Sequence, residues 1–437
     1  MKSEYDCQGR NGSEQGPACL DCYRFKKKEA EGVRRRKLIS VITAVAAAAA
    51  LLAGCGSRAA SEQNVVPDTA VEAEESSRSG ESETQSGAAE QAAAETQTET
   101  GPASTAPEET DQTGAEQTVS PQAEDGESIT TNGGEVIALS ALEHQAEDAA
   151  STVYFTSEIT PEAMTAAYEA LGVELSGENI AVKLSTGEPP ASNYLDPELI
   201  ADLVHQVDGT IVENNTAYGG QRASTAMHYQ VAEDHGFTGI ADFVVLDEEG
   251  SVSLPVEGGT LLTENLVGAH FPEYDGYLVL SHFKGHAMAG FGGAIKNISI
   301  GMASQEGKCL IHTAGESHTS PWGGEQDPFT ESMAEAGKSV VDALDGNILF
   351  VSVMNHLSID CDCDGNPAEP DMHDMGILAS TDPVALDQAC VDMVYASQDD
   401  TASLIQRMES RNAVHVLEHG EEIGLGSRTY RMVSIDG

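Results

Sequence analysis

The sequence predicts an α/β fold: largely parallel sheets with flanking helices, in two lobes around a cleft, behind a disordered N-terminal third. Three observations carry this expectation. No aromatic residue occurs between Phe25 and Tyr154, and no Lys or Arg between Arg78 and Lys183, so the first third cannot bury enough apolar area to offset the entropy of ordering it. From about Thr152 onward, apolar runs alternate with capped helical patterns, which points to a buried, mostly parallel sheet. That part holds roughly 285 residues, many for one sheet, hence the two lobes.

The N-terminal segments follow in order. Residues 1–33 read as a cytoplasmic extension or a mis-assigned start, and Cys19-Leu20-Asp21-Cys22 is a CxxC with no second half. Arg34, Arg35, Arg36 and Lys37 precede an apolar run from Leu38 to Ala53. That run is short of the ~20 residues of a membrane span, and it fits an export signal over 34–55. Its end, Leu52-Ala53-Gly54-Cys55, resembles the bacterial lipobox, in which the cysteine (here Cys55) is diacylated. The expectation is an extracytoplasmic protein, lipid-anchored to the cell membrane, with a membrane-associated protein partner as one role for the anchor. Residues 56–135 are Glu, Gln, Ser, Thr, Ala and Gly with scattered Pro, a solvated acidic tether. A formal net charge of −50 argues against nucleic acid as a partner, because phosphate binding needs clustered cations.

The folded part is expected over 136–437. "STVYFT", "NIAVKL", "TIVEN", "ADFVVL", "GYLVLSHF", "GNILFVSVM" and "YRMVSI" are strands. Between them run helices started by Thr160-Pro161, Asp196-Pro197, Ser224 or Thr225, and the "DPVALDQACVDMV" segment. In such folds ligands bind beyond the carboxyl ends of the strands. Three loops lie there. The first, after "TIVEN", holds Tyr218, Gly219, Gly220 and Arg222 before a helix, a combination suited to a carboxylate or phosphate. Nearby Glu188 offers an acid/base or a metal oxygen.

The second loop, "SHFKGHAMAGFGGAIKN", holds His282, Lys284, His286, Gly290, Gly292, Gly293 and Lys296. Its glycines favour an anion nest. Lys296 would neutralise an anion or act as an amine nucleophile, and His312 beyond it is a further nitrogen ligand or acid/base. The third loop, "NHLSIDCDCDGNPAEPDMHD", offers Cys361, Cys363 and His373 among carboxylates. This donor set suits zinc, iron or nickel better than calcium. His282 and His373 join the two cysteines as candidate ligands. A disulfide and inert thiols remain alternatives for the cysteine pair. Cys390 reads as core.

Several stretches, "VKLSTGEPPASNYLDPEL", "NTAYGGQRAST", "SHFKGHAMAGFGGAIKNISIGMAS", "GK…H" and "CDCDGNPAEPDMHDMGILASTDPVALDQACVDMV", together resemble the uncharacterised iron–sulfur-centre protein family, domain of unknown function 362. The resemblance implies an iron–sulfur cluster as one possible cofactor, yet this chain has "CLIHTAGESHTSPWGGEQDP" where many members carry a ferredoxin-type CxxCxxCxxxCP run. More distantly, "HAMAGFGGAIK" is similar to a stretch of the nickel-pincer lactate racemase family. That likeness implies roles for His286, Lys296 and His312 around a nickel-bearing cofactor carried on the lysine. The racemase Gly-Thr-His-Arg turn appears here as Tyr218-Gly219-Gly220-Gln221-Arg222, without its histidine. The expectation is a metal- or cluster-dependent redox or isomerase-type enzyme acting on a small anionic molecule. The alternative is a non-catalytic metal- or ligand-binding lipoprotein.

Overall fold

The computed structural model describes Ala18, Cys19 and residues 128–437. The export signal, Cys55 and nearly all of the tether lie outside the described residues. Ser128–Thr130 (β1) and Val136–Ala138 (β2) form a hairpin that buries Ile129 and Ile137 in the core. This hairpin includes residues ahead of the boundary expected at 136.

An eight-stranded sheet organises the rest. Its strands are Ser151–Thr156 (β3), Ile180–Lys183 (β4), Gly209–Glu213 (β5), Phe243–Val245 (β6), Gly276–His282 (β9), Ile348–Met354 (β12), Gly376–Ser380 (β13) and Tyr430–Ser434 (β14). A second pairing, Ser251–Pro255 (β7) with Glu264–Gly268 (β8), is antiparallel, with Ala18–Cys19 parallel beside β7. The central order is β14-β3-β13-β12-β9-β4-β5-β6. Only β13 runs antiparallel to its neighbours, β12 and β3; every other pairing is parallel. Both expected lobes share this sheet, and the described residues of 122–437 form one compact unit.

The apolar strand runs follow from burial on both faces. In β9, Tyr277 and Val279 enter one core cluster while Leu278 and Leu280 enter another. In β12, Phe350 and Met354 face the first and Val351 and Val353 the second. Successive side chains point to opposite faces of a strand, so a sheet covered on both sides has no polar alternate positions. The helices start where their caps predict. The hydroxyl of Thr160 accepts from the Ala163 amide at 3.2 Å, starting Pro161–Ala170 (α1). The Asp196 carboxylate accepts from Glu198 at 2.8 Å, starting Pro197–Gln206 (α2). Asp382 accepts from Val384 and Ala385 at 2.9 and 3.0 Å, starting Pro383–Ala396 (α7). Each such cap is worth about 1 kcal/mol, and each is followed by proline, whose missing N–H costs nothing there. Thr225–Asp234 (α3) begins after Ser224, which caps without a side-chain bond.

Lys284–His286 (β10) and Gly290–Gly292 (β11) form a small antiparallel hairpin directly after β9. It leads into the short helix Ala294–Ile298 (α4) and then Gln305–His312 (α5). Gln326–Ala343 (α6), Ala402–Glu409 (α8) and His415–Glu422 (α9) complete the helices. Among the described residues no helix is long and apolar enough to cross a membrane.

Candidate functional site

The parallel strands β4, β5, β9 and β12 lie side by side, so the segments after their carboxyl ends converge. They enclose a cavity of about 320 Å³ lined by Lys183, Arg222, the β10–α4 segment and the Cys361–Cys363 turn. The glycine–lysine hairpin and the paired cysteines, far apart in sequence, thus share one cavity.

The cysteine turn is held from behind. Asp364 donates its N–H to the Cys361 carbonyl at 2.8 Å, closing the turn. Asp362, buried between the two cysteines, accepts from Lys284 Nζ at 2.7 Å and pairs with His282 Nδ1 at 2.8 Å. The Lys284 ammonium, with His282 beside it, holds its carboxyl well below the usual carboxylate range despite burial. With Asp362 clamped, the sulfurs of Cys361 and Cys363 and a nitrogen of His286 lie within 4.8 Å of one another. All four described cysteines are free thiols. The Cys363 thiol, hydrogen-bonded to Cys361, holds the Cys361 pKa well below that of an ordinary thiol; Lys296 and Lys284 act in the same direction. Cys363 is correspondingly raised. The pair shares one proton, with Cys361 as thiolate. Lys296 Nζ stands 3.8 Å from that sulfur.

The two anion nests expected from the glycine turns are filled by the protein's own carboxylates. At the first, the Gln221 amide and the Arg222 guanidinium, at 3.1 Å, both donate to Glu188. Gly220, at φ +127°, leaves room for that carboxylate. Arg222 also reaches Glu213 at 3.6 Å, and the Tyr218 hydroxyl accepts from it at 3.1 Å. At the second, buried Asp387 accepts from the Ala294 and Ile295 amides at 2.7 and 2.9 Å. A Cβ on Gly293 would stand 2.3 Å from an Asp387 oxygen, so that glycine serves the carboxylate's approach. Of the turn residues proposed to bind an anion, Tyr218, Arg222, Gly292 and Gly293 line the cavity, whereas Glu188, Gly219, Gly220 and Gly290 do not.

Two proposed metal ligands are engaged by other partners, and only one of them, His282, lines the cavity. His373 is exposed and pairs with Asp399 at 2.8 Å, away from the cysteines. Both ring nitrogens of His282 face oxygens, Asp362 and the Asn355 carbonyl at 2.6 Å, so neither is free to bind an ion. His282 instead orients the turn that carries the thiols.

Sequence reasoning assigned no role to Lys308 or Lys183. Lys183 Nζ bonds Glu213 at 2.9 Å and Asn297 at 2.9 Å; against burial, Lys183 and Arg222 hold Glu213 down at about 2. Lys308 Nζ donates only to the Ala303 carbonyl, at 2.6 Å, and burial lowers its ammonium to about 8. Of the ten Lys and Arg between residues 128 and 437, five line this cavity. Lys183, Arg222 and Lys284 are matched by Glu213, Glu188 and Asp362. Neither Lys296 nor Lys308 has a carboxylate partner among the described residues. The signal for Lys308 was available: a lysine in the quoted "GK…H" motif of a chain with only 22 Lys and Arg.

No curated protein matches the chain. Two solved structures resemble it weakly. The lactate racemase apoprotein from Thermoanaerobacterium thermosaccharolyticum shares 14% identity over 60% of this chain and 61% of that one, with a TM-score of 0.34. A structural-genomics protein from Thermotoga maritima shares 14% over 55% and 59%, with a TM-score of 0.34. The chain thus spans about three fifths of either relative's length. Residues 180–392, which include every segment lining the cavity, match the family described as a domain of unknown function (DUF362).

Proposed function

We propose that this protein is a metal-dependent enzyme of redox or isomerase type that acts on a small anionic substrate, held outside the cytoplasm by a lipid on Cys55. One observation carries the reading: two adjacent free cysteines and two lysines without carboxylate partners line the same cavity. Two sulfurs at this spacing fit a soft or borderline metal such as zinc, nickel or iron, and Cys361 and Cys363 would hold it, leaving positions open to a substrate. The metal, when bound, would supply Lewis-acid or redox chemistry. The chain's own groups do the rest. Lys296 and Lys308 neutralise the substrate's charge. His312 donates Nδ1–H to the Lys308 carbonyl at 2.7 Å, which leaves its Nε2 lone pair available to take a proton. Trp322 at the cavity mouth is the chain's one tryptophan, so its fluorescence reports occupancy.

The test is the metal content of the anaerobically purified full chain. Wild type should hold metal, and Cys361→Ala with Cys363→Ala should lose it. A metal-free wild type that still binds anions would leave the non-catalytic ligand-binding role. Membrane fractionation of wild type against Cys55→Ser tests the anchor; equal partition into the soluble fraction would end that part of the proposal.

A further inference from the structure

His286 and His312 line one cavity but are fixed in opposite tautomers. His286 ends β10, and the chain after it turns so that the Met288 and Ala289 amides point back at Nδ1, at 3.2 and 2.8 Å. A backbone N–H only donates, so Nδ1 must be the unprotonated nitrogen and the neutral ring carries its hydrogen on Nε2. His312 is the reverse: its Nδ1 faces the Lys308 carbonyl, which only accepts. Neither Nε2 has a partner among the described residues, and neither is sealed in the core. Both rings remain neutral. Burial lowers His286 well below the ordinary histidine value, helped by Lys296, and lowers His312 to about 4.

We infer that His286 is a fixed N–H donor to a carbonyl or oxyanion oxygen of the bound ligand, and neither a general base nor a metal ligand. A histidine that binds metal through Nε2 normally donates from Nδ1 to a carbonyl or carboxylate; here Nδ1 is the acceptor, and ligation would require an imidazolate or the loss of both amide bonds. Proximity to the cysteine sulfurs, within 4.8 Å, therefore has another meaning. It sets the His286 ring beside the place where a thiolate-bound or lysine-bound ligand would sit. A neutral imidazole whose Nδ1 accepts backbone amides can polarise a carbonyl without transferring a proton in the ground state. This deepens the proposed function, on which it rests: the substrate presents an oxygen acceptor to His286 and a removable proton to His312.

The experiment uses the full chain labelled with nitrogen-15 histidine, its signals assigned with His286→Gln and His312→Gln. His286 should show a protonated Nε2 and a bare Nδ1, His312 the opposite, both unchanged between about pH 5 and 8. A protonated Nδ1 on His286, or titration of its ring in that range, overturns the inference. Oxalate, as a probe with two carboxylate ends, is then titrated by Trp322 fluorescence. His286→Ala should weaken it about tenfold, the value of one hydrogen bond to a charged ligand, and His286→Gln, which keeps an N–H donor, should recover part of the loss. Equal affinity in all three proteins overturns it. With Zn²⁺ added anaerobically, His286→Gln should keep the wild-type stoichiometry; loss of zinc in that variant makes His286 a ligand and overturns the inference. A wild type that binds no zinc counts against the proposed function, while the tautomer measurement still decides the role of His286.

Discussion

Lys308 should make the protein less stable than a methionine at the same position would. Its ammonium falls from an ordinary 10.5 to about 8 on burial, with no carboxylate partner. One pKa unit is 1.36 kcal/mol, so keeping the group charged inside the fold costs about 3 kcal/mol near neutral pH. Lys308→Met also loses the bond to the Ala303 carbonyl, worth about 1 kcal/mol. The variant should therefore unfold with about 2 kcal/mol more free energy at about pH 7. The pH dependence carries a sign. The native pKa lies below the unfolded one, so between them the unfolded chain binds more protons and wild-type stability rises with pH. By about pH 9.5 the methionine advantage should have shrunk by about 2 kcal/mol, to near zero. Urea unfolding followed by circular dichroism at the two pH values measures both quantities. A methionine variant less stable at neutral pH, or an advantage unchanged on the alkaline side, would refute the view that a costly cation is kept here for a ligand.

Three other outcomes are expected. Iodoacetamide should alkylate Cys361 faster than Cys309 or Cys390, whose thiols burial raises, and Cys363→Ala should slow the reaction by removing the donor that stabilises the thiolate; an unchanged rate by mass spectrometry would mean the lysines suffice. Burial keeps His228 and His312 neutral, lowering them from 6.5 to about 3 and about 4. The unfolded chain therefore takes up protons first on acidification, and each histidine lowers stability below about pH 6.5 by up to about 1.4 kcal/mol per pH unit, while Asp387, raised by burial to about 7, offsets about one of them; a flat urea midpoint from neutral to pH 5 contradicts this. Gly293→Ala should destabilise by about 2 kcal/mol, since its Cβ would press on Asp387 at 2.3 Å; wild-type thermal stability in that variant would show that α4 can shift at no cost.

What was legible in the sequence was whatever depends on local rules. The strands "GYLVL" and "NILFVSVM" stand out because both faces are buried, and the helices begin at Thr160, Asp196 and Asp382 because a capping side chain and a proline coincide there. The strand β13, "GILAS", is short and glycine-led, too weak a signal to separate from its loop. The convergence of the lysine hairpin and the cysteines could be anticipated from the carboxyl-end rule. The choice among donors within each loop could not. His282 and His373 flank the cysteines in space or sequence as plausibly as any ligand, but the nearest carboxylates, Asp362 and Asp399, capture them. Long-range pairings such as Asp387 with the Ala294 amide, 93 positions apart, leave no local pattern to read.

The filled nests decide how this site can select an anion. A chain with a formal charge of −50 repels anions at low ionic strength, although salt screens that field beyond about 8 Å at physiological strength. Selection must then come from inside the cavity. Backbone amides, the usual source, are already taken by Glu188 and Asp387, and three of the five cations are matched by carboxylates. Formal charge therefore leaves Lys296 and Lys308 against the single Cys361 thiolate, a surplus of about one positive charge. Loss of the shared thiol proton to a divalent metal would deprotonate Cys363 as well, and the metal's own charge would more than replace what the second thiolate removes. Anion affinity should thus rise when metal is bound, by the same factor that the anion raises metal affinity. Titrating oxalate by Trp322 fluorescence with and without zinc measures that coupling. Equal affinities would separate the lysines from the thiols and divide the cavity into two unrelated sites.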